Sequence, residues 1–143
     1  MLRIAFASND RCTVNQHFGA AEGFVIYGLE AGRANLLSVA EFDVSNMDGN
    51  EDKLATKIDA LAGCVAVYCQ AIGGSAVRQL LARGIQPVRL DEAESIEGIL
   101  RQLDQAASDG SIPWLTKALR RNEAASTADA DRFDRMAEEG WQE

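Results

Sequence analysis

One histidine and three cysteines carry most of the metal-binding chemistry open to this 143-residue chain. His17 is the only imidazole. It lies in a polar stretch, Asn9-Asp10-Arg11-Cys12-Thr13-Val14-Asn15-Gln16-His17-Phe18-Gly19, with Cys12 close before it. Imidazole and thiolate are borderline-to-soft ligands, suited to iron, zinc or copper rather than magnesium or calcium. Cys64 and Cys69 bracket a second stretch, Cys64-Val65-Ala66-Val67-Tyr68-Cys69, which runs on into Gln70-Ala71-Ile72-Gly73-Gly74-Ser75. Two glycines and a serine at the start of a helix leave backbone N–H groups free to face an anion. The segment matches neither a P-loop nor a dinucleotide fingerprint. On a regular strand Cys64 and Cys69 are expected on opposite faces and about 16 Å apart, too far to share a small metal site. Cys64 then reads as an inert core thiol, and Cys69, at the strand's exit, as the candidate ligand. The expected metal ligands are His17 and Cys69. Cys12 and Asn15 from the same loop, with Gly73, Gly74 and Ser75, complete the expected cofactor-binding set. No nucleophile–base pair has a recognisable spacing, so no catalytic residue is assigned and an enzyme is not expected.

These groups are useful only if the chain brings them together. Leu2, Ile4 and Phe6 alternate with other residues and lead into the polar stretch, a strand followed by a loop. Phe24-Val25-Ile26-Tyr27 and Leu36 to Phe42, joined through Glu30-Ala31-Gly32-Arg33, read as a hairpin. The period then changes. Leu54, Ile58 and Leu61 recur at helical spacing, with Asp48 or Asn50 placed to cap the helix. Cys64 to Tyr68 is a short apolar run of the kind buried on both faces. A helix opens at Gly73-Gly74-Ser75, with Val77, Leu80 and Leu81 expected inward and Gly84 at its end. Pro87 in Ile85-Gln86-Pro87-Val88-Arg89-Leu90 suggests an edge strand. Ser95 begins a helix with Ile96, Ile99, Leu100 and Leu103 on one face, and Ser111-Ile112-Pro113 begins another. The order β-β-β-α-β-α-β-α-α implies an α/β fold: an antiparallel meander, then parallel βα units, in a mixed five-stranded sheet flanked by helices. Ligands in such sheets bind at the carboxyl ends of the parallel strands. The loop with His17 and Cys12 and the turn after Cys69 become neighbours there.

Composition bounds the function class. The chain is 47% hydrophobic and 25% charged, ordinary for a globular domain. No apolar run approaches the roughly 20 residues of a membrane span. A formal net charge of -8 argues against a nucleic-acid partner, which needs a basic patch. Three cysteines, an odd number, favour reduced thiols. With Met1-Leu2-Arg3-Ile4 entering a strand at once and no signal-peptide pattern, the cytoplasm is the expected location. Residues 122–143 hold seven acids and two bases, a net -5, against -3 for the rest. The expected division is therefore a domain at 1–121 and an acidic tail at 122–143. The tail is either disordered or a short docking helix, with Phe133, Met136, Ala137 and Trp141 near one face. A monomer is expected.

Several stretches resemble the dinitrogenase iron–molybdenum cofactor biosynthesis family. They are Val14-Asn15-Gln16-His17-Phe18-Gly19-Ala20-Ala21, Met47-Asp48-Gly49-Asn50-Glu51-Asp52-Lys53-Leu54, Cys64 to Ala71, Ala76-Val77-Arg78-Gln79-Leu80-Leu81 and Gln86-Pro87-Val88. The resemblance covers about residues 2–120. It implies a ribonuclease-H-like fold, in agreement with the topology above. Nucleases of that fold place an acidic metal ligand on the first strand. Here its interior is Ile4-Ala5-Phe6-Ala7, so two-metal phosphodiester chemistry has no first ligand. The resemblance further implies a non-catalytic cytoplasmic carrier that binds iron–sulfur precursors of the nitrogenase cofactor as cargo and passes them between donor and acceptor assembly proteins. The family's cluster-binding histidine falls on His17. The alternative function is a regulatory interaction protein of nitrogenase assembly or expression, acting through the acidic tail.

Overall fold

The first strand, β1 (Leu2–Ala7), is the centre of the sheet, and its alternation divides the interior in two. Leu2, Ile4 and Phe6 face one core; Ala5 and Ala7 face the other. The computed structural model describes residues 1–30, 33–42 and 51–121. Their elements are β1, β2 (Thr13–Val14), β3 (Gly23–Glu30), β4 (Arg33–Glu41), α1 (Glu51–Ala60), β5 (Cys64–Cys69), α2 (Gly74–Ala82), β6 (Gln86–Arg89), β7 (Glu94–Ser95), α3 (Ile96–Asp109) and α4 (113–121).

The main sheet has the order β4-β3-β1-β5-β6. β3 pairs antiparallel with both β1 and β4, while β5 is parallel to β1 and to β6. This is the mixed five-stranded α/β sheet that the alternation and helical periods imply. β6 carries Pro87 and lies at an edge, where a missing N–H costs no ladder bond. Ile96, Ile99, Leu100 and Leu103 of α3 join Leu115 and Ala118 of α4 over the first core. Ile58 of α1, Leu61 just after it, and Ala76 and Leu80 of α2 cover the second. Ser95 caps α3 by accepting from the Gly98 N–H, satisfying one free donor of the first turn. Gly110, at φ 71°, closes the helix in the left-handed region that favours glycine.

Three expectations need correction. Leu81 is 52% exposed and points outward; Ala76 and Leu80 form the buried stripe of α2. Residues i and i+4 share a face, and Leu81 is one step beyond it. Cys64 and Cys69 do not face opposite sides, for both pack in the second core. Between Arg3 and Ile4 the partner on β5 advances from Cys64 to Ala66, so Val65 is an extra residue that reverses the alternation. Finally, the loop after β1 is not featureless: Thr13 and Val14 form β2 and pair with β7 just before α3. The caps expected at Asp48 or Asn50, the hairpin turn at 31–32 and the tail at 122–143 lie outside the described residues.

Candidate functional site

Residues 8–22 run across the carboxyl end of β1, and three buried side chains anchor them on opposite faces of the sheet. Val14 is buried in the first core, and Phe18 and Ala21 in the second. Phe18 packs on Phe24 with ring centroids 5.3 Å apart, a tilted aromatic contact of ordinary spacing. Between the anchors, backbone hydrogen bonds join the segment to the exit of β5. The Gln70 N–H donates to the Gln16 carbonyl at 2.9 Å, and the Phe18 N–H to the Ala71 carbonyl at 2.7 Å. His17 and Ala71 thus form an isolated parallel bridge. The backbones of the first loop and of the turn after β5 meet at the rim where ligands bind in such sheets. His17 itself is exposed.

The first half of the loop is stiff, and one carboxylate makes it so. Asp10 accepts from the backbone N–H groups of Cys12 and Thr13 at 2.8 and 2.9 Å, and from the hydroxyls of Thr13 and Ser8 at 2.8 and 3.0 Å. The backbone bonds to Cys12 and Thr13, then that of the Thr13 hydroxyl, hold its carboxyl down at a pKa of about 2, because each favours the charged form. Asn9 and Asn15 exchange hydrogen bonds: Asn15 Nδ2 donates to Asn9 Oδ1 at 2.8 Å, and the Asn9 N–H to Asn15 Oδ1 at 3.2 Å. Asn15 is therefore a loop brace. The Gln16 side-chain oxygen accepts from the Glu22 N–H and closes the base of the second half. Asp10 followed by Thr13 is an Asx-type turn signal; with it, the brace was readable from the sequence.

The two cysteines expected near His17 are placed differently. Cys12 is exposed, and its carbonyl accepts from the Ile96 N–H at 2.9 Å, on the α3 side of the rim. His17 lies on the α2 side. Cys69 has no exposed surface; its thiol faces the second core and donates to the Val88 carbonyl at 4.0 Å. Burial pushes that thiol up to about 11, against a small opposing pull from Arg89. Burial raises Cys64 to about 11 as well, since a thiolate loses its hydration in either place. A metal ligand must be a thiolate, and in this conformation the rim has the backbone of Cys69 but not its sulfur. Among the described residues no group of three or more His, Cys, Asp and Glu side chains is placed to hold a metal ion.

The start of α2 is open. Gly73 caps the helix with extended backbone and no side-chain bond to the free N–H groups. A Cβ built on Gly73 meets nothing within 4 Å, so the protein itself does not demand glycine there. The Ser75 hydroxyl accepts from the Gln79 amide at 3.1 Å. Ala71, hydrogen-bonded beside His17, is two residues before Gly73. The imidazole-bearing turn and the uncapped, positive end of a helix therefore occupy one stretch of the rim.

The dinitrogenase iron–molybdenum cofactor family model matches residues 1–106. This chain belongs to that family. It is 51% identical over 143 residues to the protein NifX of Azotobacter vinelandii, covering 100% of this chain and 89% of that one. It is 37% identical over 138 residues to the protein NifX of Klebsiella pneumoniae, covering 96% of this chain and 82% of that one. Among solved structures it is similar to the apo form of the orange protein from Desulfovibrio gigas, with a TM-score of 0.56 and 24% identity over 79% of this chain and 92% of that one, a likeness of fold alone. The family match spans every element that builds the rim. It leaves α4 and the acidic tail outside. No helix among the described residues is long and apolar enough to cross a membrane.

Proposed function

We propose that this protein takes part in assembling the iron–molybdenum cofactor of nitrogenase, as a carrier that holds an iron–sulfur precursor at the rim and hands it to another assembly protein. Membership of the family and the extent of the NifX likeness support the process. The observation that carries the site is the exposed His17 held by backbone pairing beside the open start of α2. A carrier has to bind and release. One imidazole at the surface gives a single exchangeable bond, where a closed four-thiolate cage would retain its metal. An iron–sulfur precursor is anionic and brings its own sulfides, so the remaining need is for positive potential. The free N–H groups at Gly73, Gly74 and Ser75 supply it. Cys12 is the second candidate ligand, reachable by a cargo that spans the rim. Cys69 joins only if β5's exit opens, and Asn15 acts through the loop it braces. The chemistry is ligand exchange without turnover.

The test is anaerobic titration of a synthetic thiolate-ligated [4Fe–4S] cluster, followed by its visible absorption. His17→Ala is expected to weaken binding at least tenfold, the loss of roughly 1.4 kcal/mol or more from one metal–ligand bond. Equal affinity in the wild type and His17→Ala refutes the assignment.

A further inference from the structure

We infer that Lys57 is a positioning residue for the His17 turn, an inference that rests on the carrier reading above. Lys57 lies in α1 yet is only 3% exposed. Its Nζ donates to the carbonyl of Gly19, two residues after the histidine. The turn beginning at His17 is closed by the Ala20 N–H on the His17 carbonyl at 3.2 Å and the Ala21 N–H on the Phe18 carbonyl at 3.3 Å. The same ammonium stands 5.8 Å from the centroid of Phe42. Phe42 meets Phe24 edge-on at 5.5 Å, and Phe24 packs on Phe18. A lysine and a row of three rings therefore underlie the turn from its buried side.

Burying an ammonium loses hydration that only well-placed polar partners return, and an apolar side chain of the same length would fill this position without that loss. A cation here makes sense where its contact fixes something. What it fixes is the downstream limb of the turn. The upstream limb is already tied to the exit of β5 through the Gln16 carbonyl and the Phe18 N–H. With both limbs held, the His17 Cα–Cβ bond has one direction relative to the start of α2, and a single-ligand site depends on that direction.

The test uses the full chain in three forms: wild type, Lys57→Met, and Ile58→Val as a control that loosens the same helix and the core beneath the turn while leaving the Lys57 contact in place. Lys57→Met is expected to speed amide hydrogen exchange at Ala20 and Ala21 about tenfold, as loss of one buried hydrogen bond would. It should also shift the His17 imidazole resonances and weaken binding of the synthetic [4Fe–4S] cluster roughly fivefold. Ile58→Val should lower Tm and leave all three readouts within about twofold of wild type. Unchanged exchange at Ala20 and Ala21 in Lys57→Met, or equal changes in Ile58→Val, overturns the inference. Should Lys57→Met not fold, the wild type decides: the Lys57 ammonium protons must exchange slowly and show contacts to Gly19, and fast exchange overturns it. His17→Ala run alongside separates the two readings. If it loses cluster and Lys57→Met does not, positioning by Lys57 falls and the carrier site stands. If it binds like wild type, the carrier site falls, and the exchange rates still judge the link from Lys57 to the turn.

Discussion

The two segments that meet at the rim are built on different plans. Residues 8–22 are paired through the backbone and braced in addition by side chains: the Asp10 carboxylate, the Asn9–Asn15 pair, and the Val14 and Phe18 plugs on either face of the sheet. Residues 69–75 are held through the backbone, by the Gln70 N–H, the Ala71 carbonyl and the Cys69 carbonyl, which accepts from Leu90 at 2.8 Å. The first plan leaves its imidazole in water; the second turns its thiol into the core. Neighbouring backbones thus need not mean neighbouring ligands, since side-chain direction is decided by strand alternation and by what the core takes in.

The largest blow to this contrast is Phe18→Ala. Phe18 is fully buried, and removing such a ring should cost about 3–5 kcal/mol and free the His17 turn from the sheet. Thermal or urea unfolding measures it, and a loss under about 1 kcal/mol would show that the plug is not what anchors the loop. Next is thiol reactivity. Cys12 is exposed, whereas Cys64 and Cys69 are buried with thiols raised to about 11. Cys12 should therefore be alkylated at pH 8 roughly a hundredfold faster than either. Mass spectrometry of timed iodoacetamide reactions reads this site by site. Comparable labelling of Cys69 would mean that the exit of β5 opens readily and would restore its sulfur as a ligand. The smallest effect concerns Asp10. Its carboxyl is depressed in the folded protein, to about 2 from 3.8. Its stabilisation is therefore complete above about pH 4 and disappears as pH falls through about 2. Because the group is exposed, Asp10→Ala should cost only about 1 kcal/mol near neutral pH. That difference should shrink between about pH 4 and 2, and a constant difference across this window would discount the carboxylate's charge.

Much of this site could be read from residues alone, because polar loops and apolar periods are local signals. His17 in the loop after the first strand, the glycines opening α2 and the Ser95 cap all stand where their neighbours in sequence indicate. The bulge at Val65 could not be read, since it depends on how β5 registers with β1 across the sheet. For the same reason the β2–β7 ribbon escaped: its strands are two residues each, too short for any period to register.

The sequence by itself determined the order of the main-sheet strands and the helices, the family, and the loop in which the single imidazole lies, all of which follow from residue type and spacing along the chain. Tertiary structure alone decided that the Cys69 sulfur faces inward, that Cys64 shares its side, and that a lysine of α1 reaches the turn behind His17. Those outcomes depend on contacts between residues far apart in sequence, where packing and the cost of burying charge choose among arrangements that local pattern leaves equal.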